Sequence, residues 1–347
     1  MMVINIPDQL EGLKEKDFLE LITIIIENEY KEENIDKNLV NLIYEKQKEK
    51  KYTMSKLAKF AKSVYRLYKE CDAKIDRIDL INYIDELLYG DKEINNFKNI
   101  SNVLEEKALN SLKKNKDKLL SLDEKFYYEE SDNLKHLMAN LFWCSVCRIP
   151  VCLIGPTGLG KTSMARAFSE LSKGERGEMF SFNSETKVDD IFGTFTFKNG
   201  KLNIIDGTLT KTLENGNIFI GDEFNLAEDT ILQTLSIAFE NIDENSSYLI
   251  PGISKKIKYN KKFFFIACQN DLSTTGRKKL PHIIEKRLRT FDYPMPDLNE
   301  LIKNCDSIIK ENEVTIVEND DRNTDGMTRP VERKFEHISA EKLANFM

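Results

Sequence analysis

Histidine is scarce in this chain, which has three histidines and six cysteines among its 347 residues. Cys144, Cys147 and Cys152 have a partly metal-like spacing, but a tetrahedral zinc site needs a second ligand pair, and none stands at a matching distance. We therefore expect buried, reduced thiols, with metal or redox chemistry as the alternative.

Long apolar runs are also missing. The longest runs, such as those at 21–26 and 263–268, are far too short to cross a membrane. The first residues carry acidic side chains and no long apolar stretch, so we expect no secretory signal. An intracellular protein, cytoplasmic or nuclear, with no membrane partner is the expectation that follows.

The chain has no excess of basic residues. Its 51 lysines and arginines stand against 58 aspartates and glutamates, which gives a formal net charge of −7. Dedicated nucleic-acid binders have the opposite balance, so we expect no direct nucleic-acid binding. Apolar residues make up 41% and charged residues 31% of the chain, which is ordinary for a folded protein large enough for two domains.

The spacing of apolar residues divides the chain into four parts. Residues 1–90 carry apolar side chains three and four positions apart, which predicts a helical domain. Residues 91–130 form a lysine-rich, charged connector with one or two weaker helices. Residues 131–296 alternate short apolar runs with helical patterns, which predicts an α/β sandwich with a parallel sheet. Residues 297–347 return to a helical pattern.

A glycine-rich loop lies between an apolar, strand-like run and a helical pattern. Its residues are Gly155, Pro156, Thr157, Gly158, Leu159, Gly160, Lys161 and Thr162. Glycines in such a loop let backbone N–H groups approach the phosphates of ATP at the positive end of the helix. Lys161 is predicted to contact the β- and γ-phosphates, and Thr162 to ligate Mg²⁺. A glycine-rich turn without nucleotide is the alternative, but the strand and helix around the loop favour phosphate binding.

Two carboxylates, Asp222 and Glu223, end another apolar run. In a parallel sheet their strand would lie beside the strand that carries the phosphate loop. Asp222 can hold Mg²⁺ through water, and Glu223 can align and deprotonate the attacking water. Alone, an Asp-Glu pair commonly marks a helix cap or a surface turn. Together with the loop, it predicts hydrolysis.

Two more polar residues are candidates for the same chemistry. Asn270 follows the apolar run at 263–268 and is expected to contact a γ-phosphate or the attacking water, the alternative being an ordinary turn at the end of the strand. Arg287 lies on a predicted helical segment at 283–289. It can stabilise transition-state charge in a neighbouring subunit or module, as arginine fingers do, the alternative being a surface arginine on a charged helix.

In their order along the chain, these segments resemble the dynein-related branch of the AAA+ ATPases, and most closely its midasin-like modules. Further matching motifs are Asp206-Gly-Thr-Leu, Gly221-Asp-Glu-Phe-Asn-Leu-Ala227, Ala267-Cys-Gln-Asn270 and Gly276-Arg-Lys-Lys-Leu-Pro281. Two predicted hairpins, at 194–205 and 247–259, fall where this branch carries its helix-2 and pre-sensor inserts. The resemblance covers roughly residues 134–310.

The resemblance implies an AAA+ P-loop NTPase fold, a three-layer αβα sandwich, at 131–296. It implies that Asn270 is sensor 1 and that Arg287 is the arginine finger, with Arg277 and Arg289 as its neighbours. The sequence departs from the branch beside the finger, where Leu288 replaces a common aromatic residue.

The resemblance also implies a helical lid, of which 297–347 hold a part that begins with a helix at 300–311. Of the arginines there, only Arg329 is a candidate for sensor 2. The segment at 5–29 echoes the segment at 293–312, so residues 1–90 resemble the lid of a preceding AAA+ module, with Ser55 where a sensor-2 arginine often sits. An unrelated helical domain is the alternative.

Three functions remain open at this point. The first is a Mg²⁺-dependent ATPase that works with neighbouring AAA+ subunits or tandem modules and remodels a protein or ribonucleoprotein client, such as a pre-ribosome. The second is a structural module of a tandem array that binds ATP with little turnover, which the intact Glu223 argues against. The third is a GTP switch, but Asn260-Lys-Lys-Phe263 lacks the acid of a guanine-reading motif.

Overall fold

The computed structural model describes residues 13–31, 35–71, 75–90, 102–114, 131–198, 200–240, 247–249, 256–270, 280–295, 317–318 and 331–332. Several sequence predictions lie outside these ranges. They are residues 5–12 of the N-terminal echo, most of the connector, the turn of the second hairpin at 250–255, Arg277, the lid helix at 300–311 and Arg329.

Contacts divide the chain into two compact units. The first comprises Met1–Phe126 and Lys135–Tyr293, and the second comprises Tyr127–Leu134 and Pro294–Met347. The predicted helical domain and the predicted sandwich therefore fall in the same unit. The domain boundaries near residues 90, 130 and 296 stay predictions.

The N-terminal region of the first unit is helical, as its apolar spacing predicts. The helices are α1 (Glu15–Tyr30), α2 (Lys37–Lys50), α3 (Met54–Glu70), α4 (Arg77–Tyr89) and α5 (Asn102–Lys113). Asp36 and Asp76 begin α2 and α4, because each carboxylate accepts hydrogen bonds from two backbone N–H groups of the first turn. Leu57, Phe60 and Val64 form the buried stripe of α3.

The rest of the first unit alternates strands and helices. The elements are α6 (Asp132–Cys147), β1 (Val151–Ile154), α7 (Lys161–Lys173), β2 (Glu178–Ser181), α8 (Val188–Phe192), β3 (Gly193–Lys198), β4 (Lys201–Asp206), α9 (Thr208–Asn215), β5 (Ile218–Asp222), α10 (Asp229–Glu240), β6 (Ser247–Leu249), β7 (Lys256–Lys258), β8 (Phe264–Gln269), α11 (His282–Glu285) and β9 (Arg289–Asp292). Three of these helices, α7, α9 and α10, begin and end within one residue of the helical patterns that the sequence shows at 162–172, 208–215 and 228–240.

Five of these strands form a parallel sheet in the order β2-β5-β8-β1-β9. The residues of β8 are all buried, which explains why its sequence is a continuous apolar run without polar alternation. Phe219 of β5 and Phe265 of β8 stack with ring centroids 5.5 Å apart and extend the core across neighbouring strands. The predicted α/β sandwich is confirmed.

The segment at 283–289 differs from its prediction as one helix. Helix α11 ends at Glu285, residues 286–288 form a turn, and Arg289 begins the edge strand β9, which pairs with β1. Arg289 is buried, and its Nη1 donates a hydrogen bond to the backbone oxygen of Gly90 at 3.2 Å. A four-residue strand that starts with a buried arginine has no alternation by which it can be recognised.

Both predicted hairpins are present as antiparallel pairs. Strand β3 pairs with β4 so that Phe195 faces Ile204 and Phe197 faces Leu202. Its turn contains Gly200, whose φ of +72° is the left-handed conformation that a tight hairpin turn requires and that glycine adopts readily. Strand β6 pairs with β7 in the second hairpin.

Helix α6 joins the N-terminal helices to the sandwich through buried polar contacts. Tyr83 Oη donates to Asn140 Oδ1 at 2.9 Å, and Trp143 Nε1 donates to the backbone oxygen of Leu104 at 3.2 Å. The Cys147 thiol contacts the backbone oxygen of Ser63. Burial raises the pKa of this thiol to about 12, as expected for a buried, reduced cysteine.

In the second unit, the described strands β10 (Val317–Glu318) and β11 (Val331–Glu332) form an antiparallel pair. Among the helices that the structure describes, none is both long enough and apolar enough to cross a bilayer.

Candidate active site

The phosphate loop connects the end of β1 to the start of α7 at the carboxyl end of the parallel strands. Gly158 and Gly160 have φ values of +82° and +92°, a backbone region that L-residues rarely adopt. A Cβ at Gly158 would meet no atom within 4 Å, so the backbone conformation and not space requires glycine there. The loop curls before the N-terminus of α7, where unsatisfied N–H groups can bind an anion.

Lys161 is the most constrained side chain of the loop. It is only 6% exposed, and its ammonium donates to the backbone oxygens of Gly155 and Pro156 at 2.8 and 2.6 Å. It also donates to Asn270 Oδ1 at 2.7 Å. A buried ammonium is costly unless it is hydrogen-bonded, so these oxygens hold Lys161 at the mouth of the loop.

Asn270 links Lys161 to Glu223. Its Nδ2 donates to Glu223 Oε1 at 2.8 Å, while its Oδ1 accepts from Lys161. If the amide of Asn270 were flipped, its N–H group would face the ammonium and its oxygen would face the carboxylate, and neither hydrogen bond could form. The two contacts therefore fix the orientation of the amide. The prediction that the strand of Asp222 and Glu223 lies directly beside the strand of the phosphate loop is wrong, because β8 lies between β5 and β1. Asn270, at the end of β8, therefore stands between Lys161 and Glu223.

Thr162 and Asp222 form a hydrogen-bonded pair beside Lys161, Asn270 and Glu223. Thr162 Oγ1 donates to Asp222 Oδ1 at 3.1 Å, and the backbone N–H of Glu223 donates to the same oxygen at 3.0 Å. A hydroxyl and a carboxylate are hard oxygen donors, the chemistry that Mg²⁺ prefers when phosphates complete its coordination. The donor set thus fits the predicted metal.

Glu223 lies outside the usual backbone region, with a φ of +51°. A non-glycine residue there costs about 1–3 kcal/mol and persists only where its surroundings fix it. The next residue, Phe224, is buried and packs against Phe182 and Phe265 with ring centroids 5.3 and 5.6 Å away. The turn ends β5 at Asp222 and places the Glu223 carboxylate beside Asn270. Nothing in the sequence indicated this conformation.

Arg287 takes no part in the hydrogen bonds described above. It sits in the turn between α11 and β9, half-buried, and its backbone N–H donates to the oxygen of Ile284. Its guanidinium is near Lys59 on α3. The residue Lys59 is exposed as a whole, but its ammonium is surrounded by protein. This burial, and after it the charge of Arg287, lowers the pKa of Lys59. Arg287 is thus close enough to Lys59 for the two charges to interact.

Cys268 lies beside the site, although no role was expected for it. It is on β8 two positions before Asn270 and is fully buried. Because Gly221 is in register with Ala267, Cys268 is next to Asp222 on the neighbouring strand. The motif Ala267-Cys-Gln-Asn270 was the available signal.

The fold and this site define a P-loop nucleotide-binding protein. The family model for the AAA domain of the dynein-related subfamily matches residues 150–288, a range that includes the loop, both carboxylates, Asn270 and Arg287. Residues 150–288 therefore match the AAA domain of the dynein-related subfamily, as the sequence motifs predicted.

Among proteins of this kind, the chain is similar to midasin. It is 28% identical to midasin of Dictyostelium discoideum over 186 residues, which are 52% of this chain and 3% of that protein. It is 29% identical to midasin of Giardia intestinalis over 133 residues, which are 38% of this chain and 3% of that protein. The similarity thus concerns a small part of each midasin.

A solved structure gives a more distant likeness. The crystal structure of a proposed ATPase from Cytophaga hutchinsonii is 14% identical, with a TM-score of 0.41, and the likeness covers 60% of this chain and 57% of that chain.

Proposed function

We propose that this chain binds ATP with Mg²⁺ at the phosphate loop and hydrolyses it, and that neighbouring AAA+ subunits or tandem modules use this turnover to remodel a protein or ribonucleoprotein client. The observation that carries the proposal is the chain of contacts from Lys161 through Asn270 to Glu223, at 2.7 and 2.8 Å. It joins the phosphate-binding cation to the predicted general base.

Lys161 stabilises the loop by hydrogen bonds before phosphate binds. Its ammonium contacts two backbone oxygens of the loop, and phosphate oxygens are stronger acceptors for the same donors because they carry charge. We expect Lys161 to exchange these carbonyl contacts for the β- and γ-phosphates. Asn270 stays within reach of the same phosphate, which is the sensor role implied by its position.

Thr162 and Asp222 would hold the metal, Thr162 directly and Asp222 through water. When bound, Mg²⁺ neutralises phosphate charge and orients the terminal phosphate. Before binding, the hydroxyl proton of Thr162 points at Asp222, so the two oxygens already face one another.

Glu223 would accept the proton of the attacking water. Asn270 donates to Oε1 and so fixes the rotation of the carboxylate, while the left-handed backbone at Glu223 sets its direction. A positioned general base contributes about 10²–10⁴-fold to a rate. An ATP-binding module with little turnover would not need such a base.

Arg287 would act on nucleotide held by another module. Its position near Lys59 of α3 brings two cations together, an arrangement that an anion stabilises. The N-terminal helices belong to the same compact unit as the sandwich and contact it through Tyr83 and Asn140, which supports their assignment as the lid of a preceding module. A pre-ribosomal client, in nucleus or cytoplasm, is proposed on the midasin-like resemblance alone.

The test is phosphate release by the full chain from ATP and from GTP, with and without Mg²⁺, together with sizing of the protein in both nucleotide states. We expect Mg²⁺-dependent turnover of ATP, little of GTP, and more turnover in larger assemblies. The same preparation carrying Glu223→Gln controls for contaminating ATPases. An assembled wild type with no turnover above this variant would refute hydrolysis.

A further inference from the structure

Arg289 is a buried cation at the contact between the sheet and the N-terminal helices. It is the first residue of the edge strand β9, where its backbone N–H donates to the oxygen of Pro150 at 2.8 Å. Its side chain reaches the N-terminal helices, where Nη1 donates to the backbone oxygen of Gly90 at 3.2 Å. Gly90 is the cap residue at the carboxyl end of α4. Arg289 therefore joins the edge of the sheet to the end of this helix.

A buried arginine is a costly choice for the start of an edge strand. Its guanidinium loses contact with water, and an apolar side chain at the same place would avoid this loss. The carboxyl end of α4 compensates in part, because its carbonyl oxygens and the helix dipole favour a cation. Replacing a buried ionic contact by apolar packing often leaves stability unchanged. Stability alone therefore does not account for an arginine here.

The turn that carries Arg287 lies directly before Arg289. The backbone N–H groups of Arg287 and Leu288 both donate to the oxygen of Ile284, at 2.9 and 3.2 Å. The side chain of Leu288 is buried in the core, whereas Arg287 is half-buried. The turn is thus held by α11 on one side and by the first residue of β9 on the other.

We propose that Arg289 is a positioning residue for Arg287, and that its contact with Gly90 couples α4 to the turn of Arg287. A displacement of α4 acts on Arg289 through this hydrogen bond, and the backbone of the turn passes it on to Arg287. Because Arg289 is itself buried, it acts on the nucleotide of another module only through Arg287. The inference rests on the proposed function, in which Arg287 acts on that nucleotide.

Four variants of the full chain test the contact from both sides. Arg289→Met removes the charge and keeps a long side chain, whereas Arg289→Lys keeps a charged donor. Gly90→Ala disturbs the same contact from the side of α4, because a Cβ there would collide with the backbone oxygen of Glu86. Tyr83→Phe is the matched control, since it removes another hydrogen bond of α4, to Asn140, and leaves β9 unchanged.

The first readout is amide hydrogen exchange at Arg287 and Leu288 in the unassembled protein. We expect Arg289→Met to speed the exchange of both amides about tenfold, the smallest effect expected for the loss of a hydrogen bond from a charged group. Gly90→Ala should speed it by a smaller factor. Arg289→Lys and Tyr83→Phe should stay within about twofold of wild type. Thermal unfolding of each variant reports whether it is folded.

The second readout is phosphate release from ATP by the assembled protein. Arg289→Met should lower kcat about 10–100-fold and leave KM unchanged, because a small misplacement of a catalytic group costs up to about 10²-fold. In an Arg287→Ala background the same substitution should have no further effect, since the two residues act through one step. Arg289→Lys should restore most of the turnover.

Three results would overturn the inference. The first is equal exchange of the Arg287 and Leu288 amides in wild type and in Arg289→Met. The second is full additivity of Arg289→Met and Arg287→Ala in turnover. The third is an equal loss in Tyr83→Phe, which would show a general loosening of α4. None of these results changes the effect of Arg287→Ala alone, so the proposed function survives them. Turnover of the assembly that is unchanged by Arg287→Ala would refute the proposed role of Arg287, and the inference with it.

Discussion

The carboxyl end of the parallel sheet and the β3–β4 hairpin depart from the usual distribution of side chains in opposite directions. At the end of the sheet, Lys161 and Asn270 are 6% and 4% exposed. On the hairpin, Phe197 and Leu202 are 74% and 60% exposed. One region buries polar groups that prefer water, and the other exposes apolar groups that avoid it.

The two departures differ in how they are compensated. The buried ammonium of Lys161 has hydrogen bonds of 2.6–2.8 Å to three oxygens, and Asn270 uses both ends of its amide. On the hairpin, Phe197 has Leu202 as its cross-strand neighbour, but both keep most of their surface in solvent. Each substitution at the end of the sheet should therefore disturb several residues, whereas one on the hairpin should disturb few.

The largest effect is expected from Glu223→Gln. Glutamine keeps the shape of glutamate and a contact with Asn270, but it cannot accept a proton at neutral pH. We expect turnover to fall about 10²–10⁴-fold with ATP binding retained. Phosphate release and nucleotide retained on filtration measure the two quantities, and Glu228→Gln, at an exposed position, is the control. Normal turnover would show that Glu223 is not the base.

A smaller effect is expected from Asn270→Ala, which removes the link between Lys161 and Glu223. Both lose a hydrogen bond, and a hydrogen bond to a charged group is worth about 1.5–3 kcal/mol. Turnover should fall and the protein should unfold at a lower temperature. Asn203→Ala on the exposed strand β4 is the matched control from the hairpin, and an equal loss of stability in both variants would remove the contrast between the regions.

The smallest effect is expected from Phe197→Ser. Because the ring is mostly exposed, the change in the free energy of unfolding should stay within about 0.5 kcal/mol. The measurement is thermal unfolding of this variant and of Phe265→Ala. The second variant loses a buried ring, which should cost about 3–5 kcal/mol, and so serves as the reference for a large effect. A loss above about 2 kcal/mol at Phe197 would mean that the hairpin is buried in the protein in solution.

The sequence predicted the end of the sheet well because the rule behind it is topological. Buried parallel strands are recognisable as apolar runs, and the polar residues that follow them must meet at one edge. Lys161, Glu223 and Asn270 could be assigned to one site in this way without coordinates, whereas the position of β8 between β5 and β1 could not. The helices at 208–215 and around 229–240 were recognisable by their apolar spacing.

Other features depend on contacts that no local pattern encodes. Strand β9 begins with a buried arginine whose partner, the oxygen of Gly90, lies 199 positions earlier in the chain. The left-handed turn at Glu223 depends on the packing of Phe224, and the position of Asn270 between Lys161 and Glu223 depends on the order of the strands. These details determine where a carboxylate or a hydroxyl points, and they follow from the tertiary structure.

The measurement that tests the central claim most directly is calorimetric titration of Mg²⁺-ATP into wild type and into Lys161→Ala. Lys211→Ala, an exposed lysine on α9, is the control for loss of charge. If Lys161 binds the phosphates, its removal should weaken ATP binding by roughly 100-fold, since losing a desolvated charge contact costs about 2–5 kcal/mol. Equal affinity in the wild type and in Lys161→Ala would contradict the account.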